Sequence, residues 1–205
     1  GDNHQTTRAW TYAARRDTTS SAPRGPKRAA HRVGNGRSWK EPYLARTQPF
    51  EVKKSRIEGK GCFATRKIRK GQRVGEYTGP RISADEADAR YEDMTAGRTY
   101  LFIVGKNLVI DATVEGGDAR FINHSCEPNC NTELDGKRIF IYAKRTIEPG
   151  EELHYDYRLQ MDEDDDPLEY AEEYACHCGM PKCRGTMMWI PRKRKAAAAM
   201  RSQKQ

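Results

Sequence analysis

Residues 120–130 read RFINHSCEPNC and crowd an amide, an imidazole and two thiols into one turn-like segment. Asn123 both donates and accepts, and His124 carries two distinct ring nitrogens, so the pair can anchor an amphoteric small molecule. Cys126 and Cys130 lie on either side of a Pro128-Asn129 turn signal and are available to a metal or to the core. Taken alone, the segment reads more readily as a polar loop with two buried cysteines. The rest of the chain shifts that balance.

Residues 176–183 read CHCGMPKC, which sets Cys176, Cys178 and Cys183 at C-x-C-x4-C spacing, with Gly179 and Pro181 allowing a tight reversal. Three thiolates ask for a fourth ligand, because a structural zinc site is closed and tetrahedral. Cys126 is the expected fourth, with Cys130 and His177 as competitors. Cys62 and Cys130 otherwise read as packed thiols. A third segment, GEELHYDY over residues 150–157, alternates two tyrosines with a carboxylate, so Tyr155 and Tyr157 are expected on one face of a strand. Strand propensity alone would also put tyrosines at a β-rich core edge.

The elements that must position these groups are short. Strands are predicted at 51–56, 62–67, 72–78, 99–104, 108–111, 130–134 and 138–144. Leu134-Asp135-Gly136-Lys137 marks a tight hairpin, since Asp-Gly tolerates the positive φ such turns need. One helix follows Ser83, which forms a capping box with Glu86, and is expected to run through ADEADARYED. Scarce helix and many short strands imply a mainly β fold of small sheets, and no internal repeat is visible.

At 205 residues the chain holds one compact domain with flexible ends. Its formal charge of +8 is unevenly spread. Residues 1–49 carry ten Lys or Arg against three acids, and residues 192–205 carry six against none, which leaves the centre net acidic. The first segment is rich in Pro, Gly, Ser and Arg without periodicity and is expected to be disordered. Eight acids fall between Asp162 and Glu173. They read as a solvated face or as a field that steers a basic peptide. The Arg192 to Lys195 cluster is compatible with nuclear import or phosphate contacts. No apolar run approaches a membrane span and no secretory signal is evident, so a soluble protein of a reducing compartment is expected.

RFINHSCEPNC, GEELHYDY and CHCGMPKCRGTM, with GKGCFA at 59–64 and GEYTG at 75–79, resemble a SET-domain protein lysine methyltransferase with a post-SET zinc module. The resemblance covers roughly residues 50–190, with five motifs in the family's order. It implies a SET fold of small curved sheets in which the RFINH segment threads beneath a later loop as a pseudoknot, an exceptional arrangement. It also implies a SET domain at 50–160, an acidic connector at 161–173, a post-SET zinc module at 174–190 and a basic tail at 191–205.

The implied chemistry is methyl transfer from S-adenosyl-L-methionine to a lysine ε-amine. The amine, with an unperturbed pKa of about 10.4, must first lose its proton. A like-charged sulfonium and a dry channel both favour that loss. Alignment can contribute roughly 7–11 kcal/mol. By resemblance, Tyr157 orients the reacting groups, Tyr77 lines the lysine channel and Tyr155 influences how many methyls fit, its hydroxyl favouring mono- or dimethylation. The cofactor would meet backbone around Lys60, Gly61 and Cys62, where paired glycines allow close approach, together with Tyr100, Arg120, Asn123, His124 and Tyr157. Cys126, Cys176, Cys178 and Cys183 would hold a structural Zn2+. From the residues alone, Tyr77 reads equally as a strand core residue, while an ion-pair role for Arg120 and an ordinary strand aromatic at Tyr100 are the weaker alternatives.

The chain departs from the family pattern at Pro80, often an acid there, and at Arg158, where glycine is common. No cysteine precedes Cys62, so a pre-SET module is not expected, and the chain resembles small stand-alone SET proteins, bacterial ones included. Expected partners are a basic lysine-containing protein, a histone tail above all, and nucleic acid at the basic ends, with a monomer expected and no membrane. Chromatin in a nucleus, native or of a host, or a bacterial cytoplasm is the expected location. The competing class is a catalytically silent SET-fold chromatin or nucleic-acid binding module. The joint presence of Tyr77, Asn123, His124, Tyr155 and Tyr157 argues for the enzyme.

Overall fold

Segments that alternate apolar and polar residues between glycine turns cannot bury both faces alone, so they assemble as small sheets around one core. The computed structural model describes residues 11–12, 14–15, 48–92, 100–160 and 166–191. In chain order these form β1 (Thr11–Tyr12), β2 (Ala14–Arg15), β3 (Phe50–Lys54), β4 (Lys60–Ala64), β5 (Arg73–Tyr77), β6 (Arg81–Ile82), α1 (Ala84–Tyr91), β7 (Leu101–Gly105) and β8 (Leu108–Asp111). A 3-10 helix, Asp118–Phe121, then leads into β9 (Asn123–His124), β10 (Cys130–Asp135), β11 (Arg138–Ala143) and β12 (His154–Tyr155).

Two four-stranded sheets run in the orders β1-β7-β8-β6 and β2-β10-β11-β5, and two pairs, β3-β4 and β9-β12, complete the β structure. The mainly β fold of small sheets with one helix agrees with the sequence reading. β1 and β2 lie inside the segment expected to be disordered, where each adds a two-residue parallel pair to a sheet edge. The rest of residues 1–47, the acids at 161–165 and the basic tail from 192 lie outside the described residues.

Two local expectations shift in register. Asp135 pairs with Arg138, so the hairpin loop is Gly136-Lys137, not Asp135-Gly136. Gly136 alone takes the positive φ, +62°, at the first loop position, where a II′-type turn requires glycine. The helix is capped by Ser83, whose Oγ accepts from the Glu86 N–H at 3.0 Å. Glu86 does not complete the box; its carboxylate accepts from Arg90 one turn later. The helix ends at Tyr91, two residues before the expected end.

Phe50, Ile68, Phe102, Ile122, Ile141 and Leu153 are buried in the main core, which joins both large sheets to the β3-β4 pair. A smaller cluster of Leu159, Tyr174 and Met188 seats the carboxyl-terminal module, with Tyr170 of the acidic segment packed against it. The helix is fastened to β8 by Asp111, which is fully buried and accepts from Tyr91 Oη at 2.6 Å and Arg90 Nη1 at 2.9 Å. Among the described residues no helix is long and apolar enough to cross a membrane.

Candidate active site and metal centre

The site is built where β9 and β12 lie side by side in parallel, His154 opposite Asn123 and Tyr155 opposite His124. Parallel neighbours need a long crossover, here the whole β10-β11 hairpin and its return. This juxtaposition is the one a threaded segment requires. Asn129 holds it, because its Nδ2 donates to Glu152 O at 2.8 Å and its Oδ1 accepts from His154 N at 2.9 Å. A buried amide thus replaces a ladder bond that two-residue strands cannot supply.

The aromatic residues form a row. Tyr77 meets Phe102 edge-on at 5.2 Å, Phe102 lies 6.2 Å from Tyr155, and Tyr155 lies 4.9 Å from Tyr157. Tyr155 ends β12 and Tyr157 lies beyond it, yet their rings still meet, as the alternation predicts. Tyr157 Oη donates to Ile122 O at 2.8 Å. Burial pushes the Tyr157 hydroxyl above its ordinary range, reinforced by the nearby Tyr100, Cys62 and Glu152. Tyr77 and Tyr155 are raised by burial in the same way. All three phenols are therefore neutral at physiological pH.

Asn123 and His124 do not offer free side chains. Asn123 Nδ2 donates to Lys60 O at 2.9 Å and Glu152 Oε1 at 2.8 Å. His124 Nδ1 accepts from Tyr157 N at 3.1 Å, which leaves the proton of the neutral ring on Nε2, 3.4 Å from Cys126 Sγ. Desolvation lowers the His124 pKa to about 4. These side chains are structural ties, so a small molecule would meet the main chain here.

At the β4 entry, a Cβ on Gly61 would lie 2.2 Å from Glu152 Oε1. A side chain there would have to displace this carboxylate, which also accepts from Ser55 Oγ at 2.8 Å. Cys62 is fully buried and its Sγ contacts Asp118 O at 3.3 Å. Arg120 Nη1 donates to Ala112 O at 2.8 Å, and the guanidinium carbon lies 4.7 Å from the Phe121 centroid and 5.9 Å from that of Tyr100. Lys60 Nζ approaches Phe121 at 5.0 Å. No carboxylate pairs with Arg120 among the described residues, so its ion-pair reading gives way to stacking on aromatic rings.

The four thiols of Cys126, Cys176, Cys178 and Cys183 lie within 4.8 Å of one another. Cys126 Sγ is 3.6 Å from Cys176 Sγ and 4.0 Å from Cys183 Sγ. Zn–S bonds of about 2.3 Å imply tetrahedral edges of about 3.8 Å, so the set fits zinc. Cys130 stands apart, buried in the core with its thiol pushed up to about 12 by desolvation. His177 is exposed and outside the cluster. Arg184 joins the cluster to the tyrosines: its main-chain N–H donates to Cys126 Sγ at 3.3 Å while its Nη atoms grip Asp156 at 2.9 and 2.8 Å.

Sequence reasoning missed Asn129, Glu152 and the Asp156–Arg184 pair. Asn129 was legible only as half of a turn signal, and its partners lie 23 and 25 residues away. Asp156 sits between the two tyrosines singled out, so its proximity was legible even though its partner was not.

The SET domain family profile matches residues 59–158. The histone-lysine N-methyltransferase of Saccharomyces cerevisiae described as H3 lysine-4 specific is 41% identical over 147 residues, covering 68% of this chain and 13% of that protein. Histone-lysine N-methyltransferase trithorax of Drosophila virilis is 40% identical over 154 residues, covering 72% of this chain and 4% of that protein. Histone-lysine N-methyltransferase trr of Drosophila melanogaster is 40% identical over 152 residues, covering 71% and 6%. The chain thus spans a small fraction of the length of the curated relatives it matches. It carries a SET domain homologous to those of SET histone methyltransferases. Its carboxyl-terminal cysteine cluster is compatible with a post-SET zinc module.

Proposed function

We propose that this chain is a protein-lysine N-methyltransferase that uses S-adenosyl-L-methionine and acts on a basic protein, a histone tail first. The observation that carries this reading is the row of neutral tyrosines beside the β9-β12 pair, Tyr77 and Tyr155 buried and Tyr157 half-buried. A scaffold would gain stability from phenylalanine at Tyr77 and Tyr155 without having to bury two hydroxyls. The cofactor supplies a methyl group on a sulfonium. Arg120 fits it, since its buried Nε has no hydrogen-bond partner among the described residues and is an unspent donor for a carboxylate. Lys60, Gly61 and Cys62 would line the site with main chain, as would Asn123 and His124, and Tyr100 and Tyr157 would complete it.

The tyrosines orient and exclude water. Tyr157, neutral and tied to Ile122 O, is unsuited to act as a base. Tyr77 is neutral too, so a lysine ammonium entering the row loses its proton to solvent before it is enclosed. The thiolate cluster, closed by four ligands, supports the site by structure alone. Similarity to enzymes described as H3 lysine-4 specific makes the amino-terminal tail of histone H3 the first substrate to test. That substrate would place the protein on chromatin. Tyr155 favours mono- or dimethylation by narrowing the space beside the amine.

The pH dependence of kcat/KM on an H3 amino-terminal peptide tests this mechanism. A single rising limb of unit slope, set by lysine deprotonation and preserved in Tyr77→Phe, is expected. An inactive native enzyme, or a limb whose pKa moves with Tyr77→Phe, would contradict it.

A further inference from the structure

A groove of about 570 Å³ opens where the end of the β10-β11 hairpin meets the turn before β5 and the segment after β12. Lys70, Lys144 and Arg158 line it, all exposed, together with Asn131, the buried Thr132 and Cys126 of the metal cluster. Its one carboxylate, Asp156, is gripped by both Nη atoms of Arg184 and lies 3.7 Å from Arg158 Nε. Among the described residues, Lys70 and Lys144 have no carboxylate within ion-pair distance. Through Cys126 the zinc-thiolate centre offsets part of this charge, and the positive character is local to Lys70, Lys144 and Arg158, with Asp156 neutralised by Arg184.

Arg158 adds an independent observation. Its φ is +49°, and among the described residues it is the one non-glycine in the left-handed region. Glycine would adopt this conformation freely. The chain instead keeps a guanidinium there, with its main-chain N–H turned onto Asp156 Oδ1 at 3.3 Å. Backbone strain retained at a charged groove points to a use for the charge.

We propose that this groove binds the phosphate backbone of a nucleic acid, apart from the basic ends of the chain and apart from methyl transfer. The lining decides between polyanions. Peptide grooves rely on aromatic or large aliphatic anchors, and none lines this one. Phosphates are held by Lys, Arg, amide and hydroxyl groups without sequence readout, and Lys70, Lys144, Arg158, Asn131 and Thr132 supply such groups here beside small apolar and thiol residues. Such a contact would hold the protein on nucleoprotein while its tyrosine row faces a protein lysine.

The test uses the full chain and a fluorescently labelled mixed-sequence DNA duplex, with binding followed by anisotropy across a salt series. Each phosphate contact adds about 0.9 to the slope of log K against log salt, so Lys70→Ala/Lys144→Ala/Arg158→Gly should be shallower than native by about 2.7. Arg158→Gly alone should weaken binding without lowering the melting temperature, which separates lost charge from lost fold. An unchanged slope in the triple variant would assign all DNA contacts to other parts of the chain and overturn the proposal. So would a native chain that binds a glutamate-rich peptide in this groove but not the duplex.

Discussion

Replacing Asn129 with alanine removes both bonds that hold the β9-β12 crossing to the start of β10. The change leaves Glu152 O and His154 N without the partners they have at 2.8 and 2.9 Å. Each buried main-chain group left unpaired costs about 1–3 kcal/mol, so the pair costs about 2–6 kcal/mol, against a total stability of about 5–15 kcal/mol for a domain. Asn131 provides the control, being half-buried with a single long bond to Glu133 Oε1 at 3.4 Å. Asn131→Ala should change stability by about 0.5 kcal/mol or less. Equilibrium urea unfolding of zinc-saturated protein, followed by far-ultraviolet circular dichroism, reads both variants. A loss below about 1 kcal/mol for Asn129→Ala at unchanged m would refute the assignment of Asn129 as the clasp of the crossing.

Further outcomes follow from the same geometry. Native mass spectrometry should find one zinc in native protein and in Cys130→Ser but not in Cys126→Ser, and zinc retained by Cys126→Ser would show that the cluster has another fourth ligand. Desolvation lowers the His154 pKa below its ordinary value, so the unfolded chain binds the proton more readily and stability is lost as pH falls below about 6.5. The urea midpoint of His154→Thr should fall less steeply than native between neutral pH and pH 5, and parallel curves would contradict this. Mass spectrometry of a methylated peptide should show mono- and dimethyl product for native enzyme and a shift toward trimethyl for Tyr155→Phe. Dominant trimethylation by the native enzyme would sink the role given to that hydroxyl.

The longer strands, the helix start and the four thiols were legible because each depends on local pattern, whereas the two-residue strands β1, β2, β6 and β9 are too short to leave one. Cys126 was reachable by counting ligands, since three cysteines at the carboxyl end demand a fourth. What escaped depends on partners distant in sequence. Nothing near Asn129 says that its amide spans two main-chain groups, and nothing near Gly61 says that Glu152, 91 positions later, lies 2.2 Å from where its Cβ would be. The hairpin register slipped by one because Asp135 remained in the ladder opposite Arg138, a choice set by pairing β10 with β11 and not by the turn residues. The donors of Asn123 and His124 are visible in sequence, but the groups that engage those side chains, Lys60 O, Glu152 and Tyr157 N, are not.

Lysine methyl transfer at the tyrosine row is read out by labelled methyl transfer from S-adenosyl-L-methionine to mixed core histones. Native protein should label histone lysine, and Tyr157→Phe should lose most of that label while still binding zinc. Absence of label from every histone with the native protein, zinc and cofactor bound, would contradict the account and leave a SET fold used for binding.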